Sequence, residues 1–416
     1  MQRRHWRALA PLLLVAGITG RAAAQQALTW EQVRERFLAN NPNLSASRIN
    51  IEEIRANEIT AGLRPNPDLS VVLDQFHLFN PPVDPFNNSQ WTPTVQQLFE
   101  RRHKRQLRVA SAQEATAIAG TDAEDLQRTL SFSLRDAFNR ILLAKSLYDL
   151  AQENVQYYDQ VIRLNQERLK AGDISQSDFD RIDLQRVQFE SDLVNSRVNL
   201  RTAKIDLLQF MNERQPVDAF DITGDFGFKE TILLPQELHQ HALDARPDLR
   251  SATRAVEKAQ VDNRLAWANG SVDPTLGFEY QRTGPDHTAG LIFSIPLRVF
   301  DRNQGEKART SLDIQRSERV REALIATILH DVDAAYAQVD GTRSLLRPYR
   351  DRYLPQAEKI RETVSYAYRN GGSSLLDFLD AQKSYRDTQL AYRNLIGSYL
   401  TAVNQLNLAV GREVLQ

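Results

Sequence analysis

The sequence predicts a mainly α-helical, internally duplicated protein with two pairs of β-strands set among long antiparallel helices. Three observations carry that fold class. Glycine and proline are scarce, 17 and 16 among 416 residues, and they cluster, which leaves long unbroken helical patterns between the breaks. A glycine turn followed by an acid occurs twice, at Gly172 with Asp178 and at Gly371 with Asp377, and both pairs are offset by 199 residues. Each half also holds two stretches of about ten residues that read as strands.

At the N-terminus Arg3, Arg4 and Arg7 precede a short apolar run, Ala8 to Ile18, and then Ala22, Ala23 and Ala24. This is the pattern of a secretory signal cleaved near Ala24. An uncleaved anchor is the alternative, but the run is shorter than the roughly 20 apolar residues that span a bilayer. No later segment is long and apolar enough for a membrane helix, so any crossing has to be made by strands. The expected organisation is a signal peptide over 1–24, a first repeat over 25–212, a connector over 213–235 and a second repeat over 236–416.

Leu28 to Asn40 reads as an amphipathic helix with Leu28, Val33, Phe37 and Leu38 apolar and Thr29 as N-cap. Asn41-Pro42 breaks it. A second helix covers Leu44 to Leu63, and Arg64-Pro-Asn-Pro67 stops it. Asp68 to His77 is strand-like, Leu78 to Ser89 reads as a loop, and Gln90 to Phe99 returns as a strand in which Pro93 marks an edge or a bend. From His103 a helical pattern runs to Gly172, roughly 100 Å of helix. A returning helix ends about Met211, and Phe220 to Phe228 reads as a small strand or loop packed at the side.

The second half repeats the plan. A short helix covers Gln236 to Ala245, Arg246-Pro247 breaks it, and another runs to Asn269. The strands are Pro274 to Arg282, with Leu276, Phe278 and Tyr280 on one face, and Thr288 to Leu297, with Ala289, Leu291, Phe293, Ile295 and Leu297 on one face. A very long helix follows from Asn303 to about Asn370, bent locally at Pro348 and Pro355. The last helix runs from Ser374 to Val410. Phe378, Tyr385, Tyr392, Tyr399 and Leu406 are spaced by seven along it, and Phe179, Arg186, Leu193, Leu200 and Leu207 form the same series in the first half. That spacing makes a coiled-coil seam, with the long preceding helix as antiparallel partner.

Composition removes several function classes. Acids and bases number 53 and 52, a net charge of -1, so no basic excess points to nucleic acid. The absence of cysteine excludes disulfides, zinc-thiolate sites and thiol catalysis. There is no phosphate-binding glycine loop, Gly-x-Ser-x-Gly or His-Glu-x-x-His, so neither an enzyme nor a cofactor is expected. His239 and His241 are the one close histidine pair, and residues two apart on a helix face different ways. His77 and His287 fall near strand ends.

Four strands of this length suit a membrane barrel, although a soluble four-stranded sheet flanked by helices fits the alternation equally. A membrane reading forces an oligomer, since an open sheet in lipid leaves two edges unsatisfied. With the duplicated plan, the glycine turns and Leu376-Asp-Phe-Leu-Asp-Ala381 in view, the chain after the signal resembles the TolC family of bacterial outer-membrane efflux channels, and its cobalt-zinc-cadmium branch above all. The resemblance implies a homotrimer with a twelve-stranded barrel in outer-membrane lipid and a helical tunnel through the periplasm. It also implies two partners, a periplasmic adaptor protein and an inner-membrane pump of the RND type.

The resemblance makes Asp178, Tyr368, Asp377 and Asp380 a pore gate at the tunnel mouth. It makes Arg168, Lys170, Gly172, Arg369, Gly371 and Gly372 an adaptor-docking tip. Ser373 stands where some family members carry a basic partner for the gate acids. Two of the acids have a second reading: Ser175 with Asp178 and Ser374 with Asp377 fit an N-cap followed by an acid at N3. Gly172, Gly371 and Gly372 read equally as turn glycines with positive φ. The function expected is a passive export duct, with divalent heavy-metal cations as cargo. A duct for drugs or secreted proteins is the alternative, and a periplasmic coiled-coil scaffold is the alternative without a membrane.

Overall fold

A computed structural model describes residues 27–75, 89–229 and 235–415. In the first half it has α1 (Trp30–Asn40), α2 (Pro42–Gly62), β1 (Asp68–Asp74), β2 (Gln90–Leu98), α3 (Lys104–Ala171) and α4 (Gln176–Phe210). The second half has α5 (Pro235–Ala245), α6 (Pro247–Asn269), β3 (Thr275–Thr283), β4 (Asp286–Ser294), α7 (Gln304–Pro348), α8 (Leu354–Arg369) and α9 (Leu375–Val410). The expected signal segment, His77, and the loop expected from Leu78 up to Ser89 lie outside the described residues.

Helix boundaries follow local chemistry. Thr29 caps α1 in a reciprocal box with Gln32. Asn41 ends α1 and also caps α2, its Oδ1 accepting from the Asn43 and Leu44 amides. Pro42 therefore starts a helix as well as breaking one, because the N–H it lacks would be an orphan at that position. Pro247 does the same for α6. The 68 residues of α3 run unbroken through Gly120. Between Pro348 and Pro355, where bending was expected, α7 passes into α8 through one π-helical turn, Tyr349–Tyr353.

Two cores flank the connector. The first joins Val33 and Phe37 of α1, Leu134, Phe138 and Ile141 of α3, Leu207 of α4, and Phe220 and Ile222 of the connector. A parallel bridge between Leu28 and Ile222 shows that the Phe220 to Phe228 segment is inserted into the core, not only laid at the side. The second joins Leu238 of α5, Ile328, Val332 and Leu346 of α7, and Tyr399, Leu406 and Val410 of α9. Along the two heptad series Leu207, Phe378, Tyr399 and Leu406 are buried, and Phe179, Leu193, Leu200, Tyr385 and Tyr392 are half-buried. Arg186 is an exception, ion-paired to Asp159 at 3.0 Å. α4 packs on α3, and α9 packs on α7, α8 and also α3. Gly397 permits that last contact: a Cβ there would lie 2.6 Å from Leu143 Cδ2.

The sheet is antiparallel, in the order β1-β2-β3-β4. Its register puts Leu69, Val71 and Leu73 beside Trp91, Pro93 and Val95. It then puts Val95 beside Phe278, and Leu276, Phe278 and Tyr280 beside Phe293, Leu291 and Ala289. All of these share one face. The other face carries Ser70, Thr92, Thr94, Gln96, Glu279, Gln281 and Thr288. β1 stops at Asp74 and β4 at Ser294, so Ile295 and Leu297 are not strand residues. Pro93 sits in an inner strand, not at an edge. The ladder to β3 lapses at Thr92 and Pro93, because proline has no N–H to give.

Arg246 ties the second half together. Its buried guanidinium binds Asp248 at 2.6 Å, Asp331 of α7 at 3.3 Å and the Ala409 carbonyl of α9 at 3.3 Å. Burial disfavours the charge of Asp248, but the guanidinium outweighs it and holds the carboxyl below its ordinary value. Arg246→Met should cost about 3 kcal/mol, since it strands two carboxylates and a carbonyl. A depressed pKa stabilises the fold above the unfolded value and is lost as the pH falls. The melting-temperature gap between wild type and Arg246→Met should therefore be full at neutral pH and narrow below pH 3.8. A gap that widens in acid would contradict this pairing.

Candidate functional site

The two helical turns close in the same way. Gly172 has φ +82° and Gly371 φ +76°. The Asp173 amide donates to the Arg168 carbonyl at 2.9 Å, and the Gly372 amide to the Ala367 carbonyl at 2.8 Å, the same bond displaced by 199 residues. Nothing lies within 4 Å of a Cβ built on Gly172 or Gly371, so backbone conformation, not space, calls for glycine. Gly372 does not have positive φ, contrary to expectation. One left-handed residue completes the turn, and Gly372 contributes its N–H instead.

Beyond each turn a serine caps the returning helix. Ser175 Oγ accepts from the Asp178 amide at 3.0 Å and donates to Asp178 Oδ2 at 2.9 Å. Ser374 makes the equivalent contacts with Asp377 at 3.1 and 2.7 Å, and its own amide donates back to Asp377 Oδ2 at 3.2 Å. Ser373 adds a longer contact at 3.4 Å. The Ser374 hydroxyl and amide hold the Asp377 carboxyl below its ordinary value. Ser373 thus serves the cap where a base was expected. Asp380, one turn further on, is exposed and makes no hydrogen bond or ion pair among the described residues.

Tyr368 is buried between the hairpins. Its hydroxyl donates to Asn165 Oδ1 at 2.8 Å, and its ring stacks on Phe378 with centroids 4.7 Å apart. The Arg168 guanidinium lies 4.7 Å over the same ring and donates to the Tyr368 carbonyl at 3.2 Å. Burial pushes the phenol pKa up, so Tyr368 remains a neutral donor. Tyr158, Ile182 and Phe189 complete this third core. Higher up, Gln382 Nε2 donates to Tyr157 Oη and Ser365 Oγ at 3.0 and 3.1 Å, and Arg361 stacks on Tyr385 at 3.9 Å.

The site residues therefore separate. Arg168 and Arg369 fold back onto Tyr368 and onto the Ser365 carbonyl, while Lys170 is exposed and paired to Glu167 at 2.8 Å. Sequence reasoning missed Asn165, Ser365 and Gln382. It also missed the apolar residues Tyr366 and Leu376, 68% and 76% exposed at the tip. A signal for Asn165 was present, since it follows the buried Tyr158 by seven. His239 binds Asp333 at 2.7 Å, apart from His241, and no group suited to a metal ion occurs among the described residues.

The chain is similar to known proteins over most of its length. The family model described as "Outer membrane efflux protein" matches residues 33–213 and 238–412. The cobalt-zinc-cadmium resistance protein CzcC of Cupriavidus metallidurans is 22% identical over 405 residues, 92% of this chain and 90% of that protein. The outer membrane efflux protein BepC of Brucella suis is also 22% identical, with 97% and 90% covered. The solved outer-membrane channel OprN shares the fold, with a TM-score of 0.77 at 17% identity over 92% of this chain and 89% of that one.

The cap and the free acid are separable by mutation. Ser374→Ala should cost about 1 kcal/mol and Gly371→Ala about 1–2 kcal/mol, both read as faster hydrogen exchange in the first turn of α9. Asp380→Ala should stay within about 0.5 kcal/mol of wild type. An Asp380→Ala loss as large as that of Ser374→Ala would make Asp380 part of the fold.

Proposed function

The chain belongs to the outer membrane efflux protein family, and from that premise we propose that it is the outer-membrane duct of a tripartite efflux system, working as a homotrimer. One observation carries the reading: the apolar face of the sheet is its exposed face. Leu69, Phe278, Leu291 and Phe293 are 71%, 52%, 90% and 67% exposed, and β1 and β4 are both edges. Three copies joined edge to edge give a closed barrel of twelve strands, apolar toward lipid and polar toward a wet lumen. A signal peptide cleaved near Ala24 would bring the chain to that membrane.

The hairpins α3–α4 and α7–α8–α9 are far longer than the roughly 30 Å of a bilayer core. In this reading they form a tunnel through the periplasm with the glycine turns at its end. Residues 25–212 and 236–416 are the two repeats, and 213–235 is the connector. Lys170, Gly172, Gly371 and Gly372, with Leu376 and Tyr366, are the surface for a periplasmic adaptor, behind which stands an inner-membrane pump of the RND type. Arg168 and Arg369 shape that surface from behind.

The gate is Asp380 first, with Asp178 and Asp377 acting while they cap. Tyr368 takes part by clasping α8 to α3. Three copies of Asp380 about one axis attract cations and repel one another. Divalent heavy-metal cations are the proposed cargo, supported by the likeness to CzcC. A duct for other cargo is the second reading, favoured by the equal identity to BepC.

Purified protein should migrate in detergent as a heat-sensitive trimer and conduct in planar bilayers. Absence of conductance from the assembled trimer would sink the duct. Asp380→Ala should raise single-channel conductance and weaken block by divalent cations, and Asp377→Ala should do so less. Unchanged block in both variants would remove the gate and leave the duct standing.

A further inference from the structure

Where α1, α3, the connector and the turn after α9 meet, there is a cavity of about 670 Å³, walled in part by Trp30, Leu38, Phe138 and Leu142. α3 presents Arg135 and Asn139 to it, one turn apart on the same helix face. The Arg135 guanidinium lies 4.6 Å over the Trp30 ring and 5.8 Å from the centre of the Phe138 ring. It makes no hydrogen bond or ion pair among the described residues. Burial lowers its pKa, and Glu413 and Glu31 act on it only through space. Asn139 is 7% exposed, and its amide is also unbonded. An adjoining recess of about 30 Å³ shares Arg135 and Asn139 and is lined by Asn404, whose buried Oδ1 accepts no hydrogen bond.

Arg128 and Arg246, by contrast, are held by carboxylates, Asp125 and Asp248. Arg135 is held by aromatic rings with its donors free. A half-buried cation and an amide without hydrogen-bond partners among the described residues, and a buried acceptor left unsatisfied, stand around one cavity. Together they have the composition of a small-ligand site, mostly apolar with a few convergent polar groups and a volume in the usual range.

We propose that this cavity binds a small amphipathic carboxylate of amino-acid or peptide type, a function separate from the duct. The carboxylate takes the free fork of Arg135 and the N–H of Asn139. An apolar side chain lies against Trp30 and Phe138, and an amide N–H of the ligand donates to Asn404 Oδ1. Glu31, Glu35, Asp225 and Glu413 line the space with Arg34 and Lys229, so with Arg135 the acids outnumber the bases by one and favour a monoanion over the second charge of a phosphate. Asn139 and Asn165 are separated by about 40 Å along α3, so occupancy is independent of the tunnel mouth.

The test uses the full-length protein in detergent, titrated with N-acetylphenylalanine, with its neutral amide and with inorganic phosphate, and followed by calorimetry and by tryptophan emission from Trp30. The acid should bind saturably, and the amide and phosphate at least tenfold more weakly. Arg135→Gln should weaken the acid by roughly tenfold to a hundredfold, and Asn139→Leu should weaken it as well. No saturable binding to wild type, equal binding of acid and amide, tighter binding of phosphate, or undiminished binding by Arg135→Gln would each overturn the proposal. If Arg135→Gln does not fold, Arg135→Lys keeps the charge without the fork, and wild-type affinity in that folded variant would overturn it too.

Discussion

The burial of α3 is the constraint on which the other elements depend. An isolated helix gains little from propensity and is held by the packing of its faces. α3 is covered by α2 and α6 over the part nearer the sheet, and by α4 and α9 over the part nearer the turns. Because α9 belongs to the second repeat, the two halves are joined through α3 and not only through the connector. Gly397 against Leu143 sets how closely they approach. Arg128 from α3 reaches the Leu408 carbonyl of α9, and Asn404 reaches back to the Phe132 carbonyl at 2.8 Å. The duplication visible in the sequence thus becomes one packed body.

Local chemistry was legible in the sequence where one short stretch determines it. Thr29, Ser175 and Ser374 cap as their positions suggest, and the 199-residue offset reappears as the same backbone bond at both turns. Strand faces were legible from alternation, since side-chain period in a strand is fixed at two. What stayed hidden depends on distant partners. The lapse of the ladder at Pro93 follows from β3, whose sequence lies far downstream. The clasp of Tyr368 on Asn165 spans 203 residues, and nothing within either segment announces the other.

In the proposed gate one residue serves fold and function together. Asp377 has its charge stabilised by Ser374, which keeps it anionic at lower pH than an ordinary carboxyl. A capped acid at a helix N-terminus is therefore a dependable fixed charge, and capping strengthens a gate role instead of competing with it. Asp380 has neither a cap nor an ion-pair partner among the described residues, so in that gate it is the acid left open to cations. Tyr368, neutral and buried, cannot face a pore while it holds Asn165. If the mouth widens, α8 has to leave α3, and that bond is among those that break.

Alternation could not say which sheet face was turned inward. The register sorts the faces: Leu69, Val71, Phe278, Leu291 and Phe293 are left exposed on one side, while most polar strand residues stand on the other together with Val72 and Ile292. A soluble sheet would reverse this, placing its apolar face on a core. Among the described residues Leu291 at 90% exposure and Phe293 at 67% are left uncovered, and no strand pairs with the outer edges of β1 and β4. In lipid the first deficit disappears, while the second becomes more costly because hydrocarbon offers no hydrogen bonds. In the proposed trimer both are resolved at once, because edges pair between copies as the apolar faces meet lipid. In that reading assembly and membrane insertion are a single event, and the long helices, packed through α3, hold the edges of neighbouring copies.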